Sequence, residues 1–197
     1  VPERQYRAAV TSDKADRRGL WDAAAVRARV AAMAQEDPAR KRFGSSHHGY
    51  LLRPPLAEDT IWLFEQQQGA RLPASYRGFL KDVSDGGAGP DYGLLGLAEE
   101  VDDEEALHDL REEGRRVGFL STPFAHTDGW PGPGRDGDAG YSVGGSLVIG
   151  ECGCGAFHRL VVTGRNAGQV WLDDPDWGGL TPGPDFRDWY LAWLGTT

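Results

Sequence analysis

Leu72-Pro73-Ala74-Ser75-Tyr76-Arg77-Gly78-Phe79-Leu80-Lys81-Asp82-Val83-Ser84-Asp85-Gly86-Gly87 is the stretch from which the fold can be worked out. Pro73 suits the first turn of a helix, where its missing N–H has no partner to lose. Tyr76, Phe79, Leu80 and Val83 then recur at steps of 3 and 4, one apolar face of a helix. Asp85, Gly86 and Gly87 stop it. Immediately upstream, Glu58, Asp59 and Thr60 offer acidic and capping groups, and Ile61, Phe64 and Trp62 give a preceding helix ending near Gly69. Downstream, Tyr92, Leu94, Leu95 and Leu97, bounded by Gly93 and Gly96, read as a short strand. The segment from Glu99 to Glu113 reads as a helix through Val101, Ala106, Leu107 and Leu110 that carries most of the acid.

The C-terminal third changes period. Ser146 to Gly150, Phe157 to Thr163 and Gln169 to Asp173 read as three strands of a meander. Gly164, Asn166 and Gly168 make the middle connection a hairpin, because Gly and Asn tolerate positive φ. Asp185 is placed to cap a last helix, whose Phe186, Trp189, Tyr190, Trp193 and Leu194 form an aromatic stripe suited to a core. Before residue 58, Leu20, Ala23, Val26, Val30 and Met33 mark one amphipathic helix, with Asp22 near its cap and Pro38 beyond its end. Arg40 to His48 reads as a loop, with His47 and His48 on its surface. The division expected is a basic N-terminal extension with one helix, 1–57, and an α+β domain, 58–197.

Charge sharpens that division. The chain of 197 residues carries 21 basic and 30 acidic side chains. Residues 1–57 hold 11 basic and 6 acidic groups, whereas residues 58–197 hold 10 and 24, a net of −14. Such a surface repels phosphate backbones and attracts basic proteins, so direct nucleic-acid binding is not expected. No run approaches the roughly 18 apolar residues of a membrane span. Cys152 and Cys154, about 6.6 Å apart with parallel side chains if in a strand, are poorly placed for a disulfide, which fits a reduced cytoplasm.

Chemistry is harder to find. Cys152, Cys154 and His158 lack the spacing of common zinc sites, and the residues after Gly155 are strand-like rather than the helix N-terminus of a phosphate cradle. No nucleophile elbow or cysteine-protease signature occurs. His126 and Asp128 leave an acid/base pair open, and with it a hydrolase. No metal or cofactor is expected.

The order of these pieces, Leu72-Pro73, Tyr76, Phe79-Leu80, Gly86-Gly87, a glycine-bounded strand and a late meander, resembles the SUKH superfamily over residues 58–194. That superfamily includes fungal cell-wall regulators and bacterial immunity proteins that neutralise polymorphic toxins. The stretch from Gly145 through Trp171 to Trp189 and Trp193 looks like its actinobacterial members. One departure is Asp85, where the family commonly has Asn. The resemblance implies an α+β fold with helices packed around a twisted, largely antiparallel sheet, no catalytic residues, and a partner-binding surface. The partner expected is a cognate protein toxin, basic and of nuclease type. By exposure logic its contacts are Glu99, Glu100, Asp102, Asp103, Glu104, Glu105, Asp173, Asp174, Asp176 and Trp177, with His126 and Trp130 as anchors. The competing reading is a regulatory scaffold of the same superfamily, with the basic extension as a docking arm.

Overall fold

A computed structural model describes residues 19–98, 112–132, 140–175 and 178–195. Its helices are α1 (Ala23–Glu36), α2 (Ser45–His48), α3 (Glu58–Gln68), α4 (Ala74–Asp82) and α5 (Phe186–Leu194). Its strands are β1 (Ser146–Gly153), β2 (Ala156–Val161), β3 (Val170–Asp174) and β4 (Gly179–Thr181), a wholly antiparallel meander in the order β1-β2-β3-β4. No helix among the described residues is long and apolar enough to cross a membrane.

Period 2 divides the sheet into two faces. Leu147 pairs with Leu160 and Leu160 with Val170, and these side chains join the helices in the main core. The α4 face predicted from sequence is fully inside: Tyr76, Phe79, Leu80 and Val83 are all buried. Trp21 meets Phe79, Phe186 and Tyr190 edge to face, and Phe79 meets Phe186 and Tyr190 in the same way, at centroid distances of 4.7–6.1 Å. Each buried ring removes enough apolar surface to contribute a few kcal/mol, on the order of 2–4. The Tyr190 hydroxyl, buried with them, donates to the Ala88 carbonyl at 2.9 Å and ties α5 to the glycine loop.

That loop depends on two glycines. Gly87 (φ 93°) is bridged to Leu52 on one side and Leu94 on the other, and a Cβ on it would lie 2.3 Å from the Leu51 carbonyl oxygen. A Cβ on Gly86 would lie 2.6 Å from the Gly96 nitrogen. The preceding Asp85 accepts from the backbone N–H groups of Leu97 (2.5 Å) and Ala98 (3.3 Å). Both bonds need only an acceptor oxygen, so an acid serves here in place of Asn. Residues 92–97 do not form the expected strand. They make single bridges, Leu94 to Gly87 and Leu94 to Gly150, which extend the sheet past β1.

The helix read in the N-terminal extension starts on Asp22, whose side chain accepts from the Ala25 N–H at 2.9 Å. Val26, Val30 and Met33 enter the same core as Ile61 and Phe79. Two of its arginines cap other helices. Arg27 donates to the Val83 carbonyl at 2.7 Å and Arg29 to that of Leu194 at 2.8 Å, placing positive charge where α4 and α5 end. Residues 45–48, expected as loop, form α2, and His48 is buried. Its Nδ1 accepts from the Tyr50 N–H at 3.0 Å, and burial lowers its pKa. The organiser is Asp37, whose carboxylate accepts from Lys41 N–H (2.7 Å), Arg42 N–H (3.1 Å), Ser45 Oγ (3.1 Å) and the Tyr50 hydroxyl (2.8 Å). The backbone N–H of Lys41 is the first cause holding the Asp37 carboxyl down at about 2.

Candidate functional site

The outer face of the sheet carries a second, smaller core. Val148, Arg159 and Trp171 stand in one cross-strand row, with Val161 and Leu180 beside them. Residues 119–132 run across this face and are pinned at several points. Phe124 N–H donates to the Thr163 carbonyl at 3.0 Å, and Thr163 Oγ1 lies 2.7 Å from both the Leu120 and the Thr122 carbonyl oxygens, to either of which it can donate its one proton. Asn166 does not use the positive φ expected of it. Its side-chain amide instead donates to the carbonyls of His126 (3.3 Å) and Thr127 (3.1 Å). Trp130 exchanges two backbone hydrogen bonds with Leu180, at 2.9 and 2.8 Å. This approach requires Gly179, on which a Cβ would lie 2.0 Å from the Trp130 carbonyl oxygen.

The two anchors read from sequence therefore share one platform. His126 packs edge-on against Phe124 at 5.4 Å, Phe124 against Trp171 at 5.0 Å, and Trp130 against Tyr141 at 5.3 Å. Both anchors are half-buried. His126 Nε2 has no hydrogen-bond partner among the described residues, while Asp128 takes the Thr127 hydroxyl at 2.8 Å. The two side chains are thus not joined as an acid/base pair.

Asp173 is withdrawn from the surface, correcting its expected role in partner contact. Its side chain is 1% exposed and forms an ion pair with Arg159 Nε, equally buried. The two are diagonal neighbours across β2 and β3, within reach of a long side chain. Tyr141 donates its hydroxyl to the Asp173 carboxylate at 2.9 Å, and burial, partly opposed by Arg159, raises the Tyr141 pKa. The pair fixes Tyr141, and Tyr141 supports Trp130. Asp174 stands half-buried at the rim. Glu99, Glu100, Asp102, Asp103, Glu104, Glu105, Asp176 and Trp177 lie outside the described residues.

Sequence reasoning did not assign Tyr141, Arg159 or Trp171 to this site. A charged residue between Phe157 and Val161, at the same parity in β2, was the available signal for a polar group facing inward. It also missed a ring ladder at the opposite side of β1: His47 stacks on Tyr92 at 4.2 Å, and Tyr92 on the exposed Phe43 at 5.3 Å.

Comparison with known proteins agrees with this architecture. No curated protein and no solved structure matches the chain significantly. The family model described as SMI1 / KNR4 family (SUKH-1) matches residues 55–191, from the turn before α3 into α5. That range takes in the paired helices, the double-glycine loop and the whole meander, and the chain belongs to the SMI1/KNR4 (SUKH-1) family.

Proposed function

We propose that this chain is an immunity protein: it binds one cognate toxin in the bacterial cytoplasm and blocks it without catalysis. The family includes toxin-immunity proteins and regulators and is generally non-catalytic. The observation that carries the finer reading is charge. Across residues 58–197, 24 acidic groups face 10 basic ones. A domain so charged speeds encounter with a basic partner, and aromatic side chains then supply lasting contact. Toxins that cleave nucleic acid present basic sites, and a carboxylate-rich blocker fits such a site.

The contacts proposed are the acidic run Glu99, Glu100, Asp102, Asp103, Glu104 and Glu105, then Asp174, Asp176 and Trp177, with His126 and Trp130 as anchors. Asp173 acts from beneath, through Arg159 and Tyr141. Co-expression with the toxin encoded beside this chain tests the proposal. Protection of the cells, together with capture of that toxin at low salt and weaker capture at high salt, is expected. Failure to protect while the chain remains folded rejects it, and a locus with no neighbouring toxin gene favours the regulatory scaffold.

A further inference from the structure

Gly150 sits opposite His158 in the β1–β2 ladder and has no side chain to hold neighbouring chain away. Residues 90–95 use that space. Tyr92 N–H donates to the Glu151 carbonyl at 3.3 Å and Leu95 N–H to that of Ile149 at 2.9 Å, while a Cβ on Gly150 would lie 2.9 Å from the Gly93 carbonyl oxygen. The segment thereby brings Asp91 to the tip of the hairpin. There the ladder slips between Glu151 and Gly153, leaving Cys152 as the extra residue. Such bulges re-aim a side chain.

The result is a mixed cluster from three separate parts of the chain. Asp91 Oδ2 lies 2.7 Å from His158 Nε2, and with Cys152 Sγ all three ligand atoms fall within 4.8 Å of one another. The His158 ring is nearly enclosed, 11% exposed, and is held edge-on by Trp189 at 4.9 Å. The Asp91 side chain is 33% exposed, so the cluster opens to solvent on one side. Asp91 takes a positive φ of 50°, a conformation few non-glycine residues adopt and Asp tolerates better than most. Burial first, and then the carboxylates of Asp91, Glu151 and Asp174, push the Cys152 thiol up, so it keeps its proton until a cation enters.

We propose that Asp91, Cys152 and His158 bind a single divalent cation of the zinc class and clamp residues 90–95 onto the β1–β2 hairpin. Thiolate, imidazole and carboxylate together suit zinc better than magnesium or calcium, which prefer all-oxygen shells. Tetrahedral bonds of about 2.0–2.3 Å place ligand atoms roughly 3.3–3.6 Å apart. The cluster reaches this by side-chain rotation, with the Asp91–His158 contact opening slightly. On binding, the Cys152 thiol proton leaves to water, an Sγ–metal bond forms, and nothing is oxidised or reduced. Three protein ligands leave a fourth position for water. Sequence spacing concealed this site because its carboxylate lies far upstream of Cys152 and His158.

The test uses the full chain, treated with chelator, kept reduced, and titrated with cobalt(II) and then zinc(II). One equivalent of cobalt should give a thiolate-to-cobalt charge-transfer band and tetrahedral ligand-field bands, both erased by zinc. Cys152→Ser should abolish the charge-transfer band. Asp91→Asn should lower affinity by more than the roughly 10–100-fold that loss of an outer-sphere partner costs. Cys154→Ser, at the exposed neighbouring thiol, should change neither. Circular dichroism confirms that each variant is folded, and Cys152→Ala serves if the serine variant is not. No charge-transfer band in the natural chain overturns the proposal. So does a band that survives in the folded Cys152 variant or disappears with Cys154→Ser.

Discussion

Replacing Asp173 with Asn keeps the side chain's shape and removes its charge, leaving the Arg159 guanidinium buried and uncompensated. Both side chains are 1% exposed, and Arg159 reaches the carboxylate through Nε while its buried Nη2 has no hydrogen-bond partner among the described residues, so the guanidinium's charge is compensated by this one carboxylate. Breaking such a pair costs about 3–5 kcal/mol. A domain's whole stability is about 5–15 kcal/mol, so the loss is a large share of it. With a urea slope of about 2 kcal/mol per M, the unfolding midpoint should fall by about 1.5–2.5 M, followed by tryptophan fluorescence. Removing both charges, Arg159→Met with Asp173→Leu, should recover at least about 2 kcal/mol, because an apolar pair of similar volume carries no stranded charge. A midpoint shift under about 0.5 M for Asp173→Asn would show that the buried guanidinium does not depend on this carboxylate, as would a double variant no more stable than the sum of its parts.

Three further outcomes rest on the same physics. Asp37 ionises at about 2 when folded and at about 3.8 otherwise, so the unfolded chain binds the proton first. Its stabilising contribution is complete above that higher value and disappears as pH falls toward 2; Asp37→Asn should flatten this part of a pH series of urea melts. Gly87→Ala forces a Cβ to 2.3 Å from a carbonyl oxygen at positive φ, whereas Gly118→Ala meets nothing within 4 Å at a similar φ. The first should lower the melting temperature well beyond the second, whose cost is the backbone contribution of about 1–2 kcal/mol; equal shifts contradict the packing account. Reversing Asp102, Asp103, Glu104 and Glu105 to Lys should slow toxin association by about tenfold or more at low salt while dissociation changes little, as read by stopped-flow or surface binding. Unchanged kinetics place the contact elsewhere.

The parts of the fold legible in sequence are those where one strong period met one strong signal. The α4 face, the aromatic stripe of α5 and the caps Asp22 and Asp185 all come from helical spacing beside a side-chain acceptor. The meander was legible because Gly164 and Gly168 punctuate short apolar runs. β4 was not, since three residues are too short to show a period. The Tyr92–Leu97 segment looked like a strand from its apolar residues, yet Gly93 turns the chain through φ 101° and leaves only bridges. Within the candidate site, His126 and Trp130 were found because ring-rich loops stand out in composition. Arg159, Tyr141 and the Asp91–Cys152–His158 cluster depend on register and on contacts between distant segments, which spacing along the chain does not encode. Asp173 shows the converse error: an acidic residue at a strand end reads as surface until its buried cation is known.

The role proposed for this chain is inhibition by occupancy, and titrating a fixed amount of the purified neighbouring toxin with it measures that directly. Residual toxin activity should fall linearly to baseline at a fixed ratio of the two proteins, with that ratio unchanged by longer incubation. Loss of activity that deepens with time at substoichiometric amounts of this chain, or full activity in its excess, contradicts it.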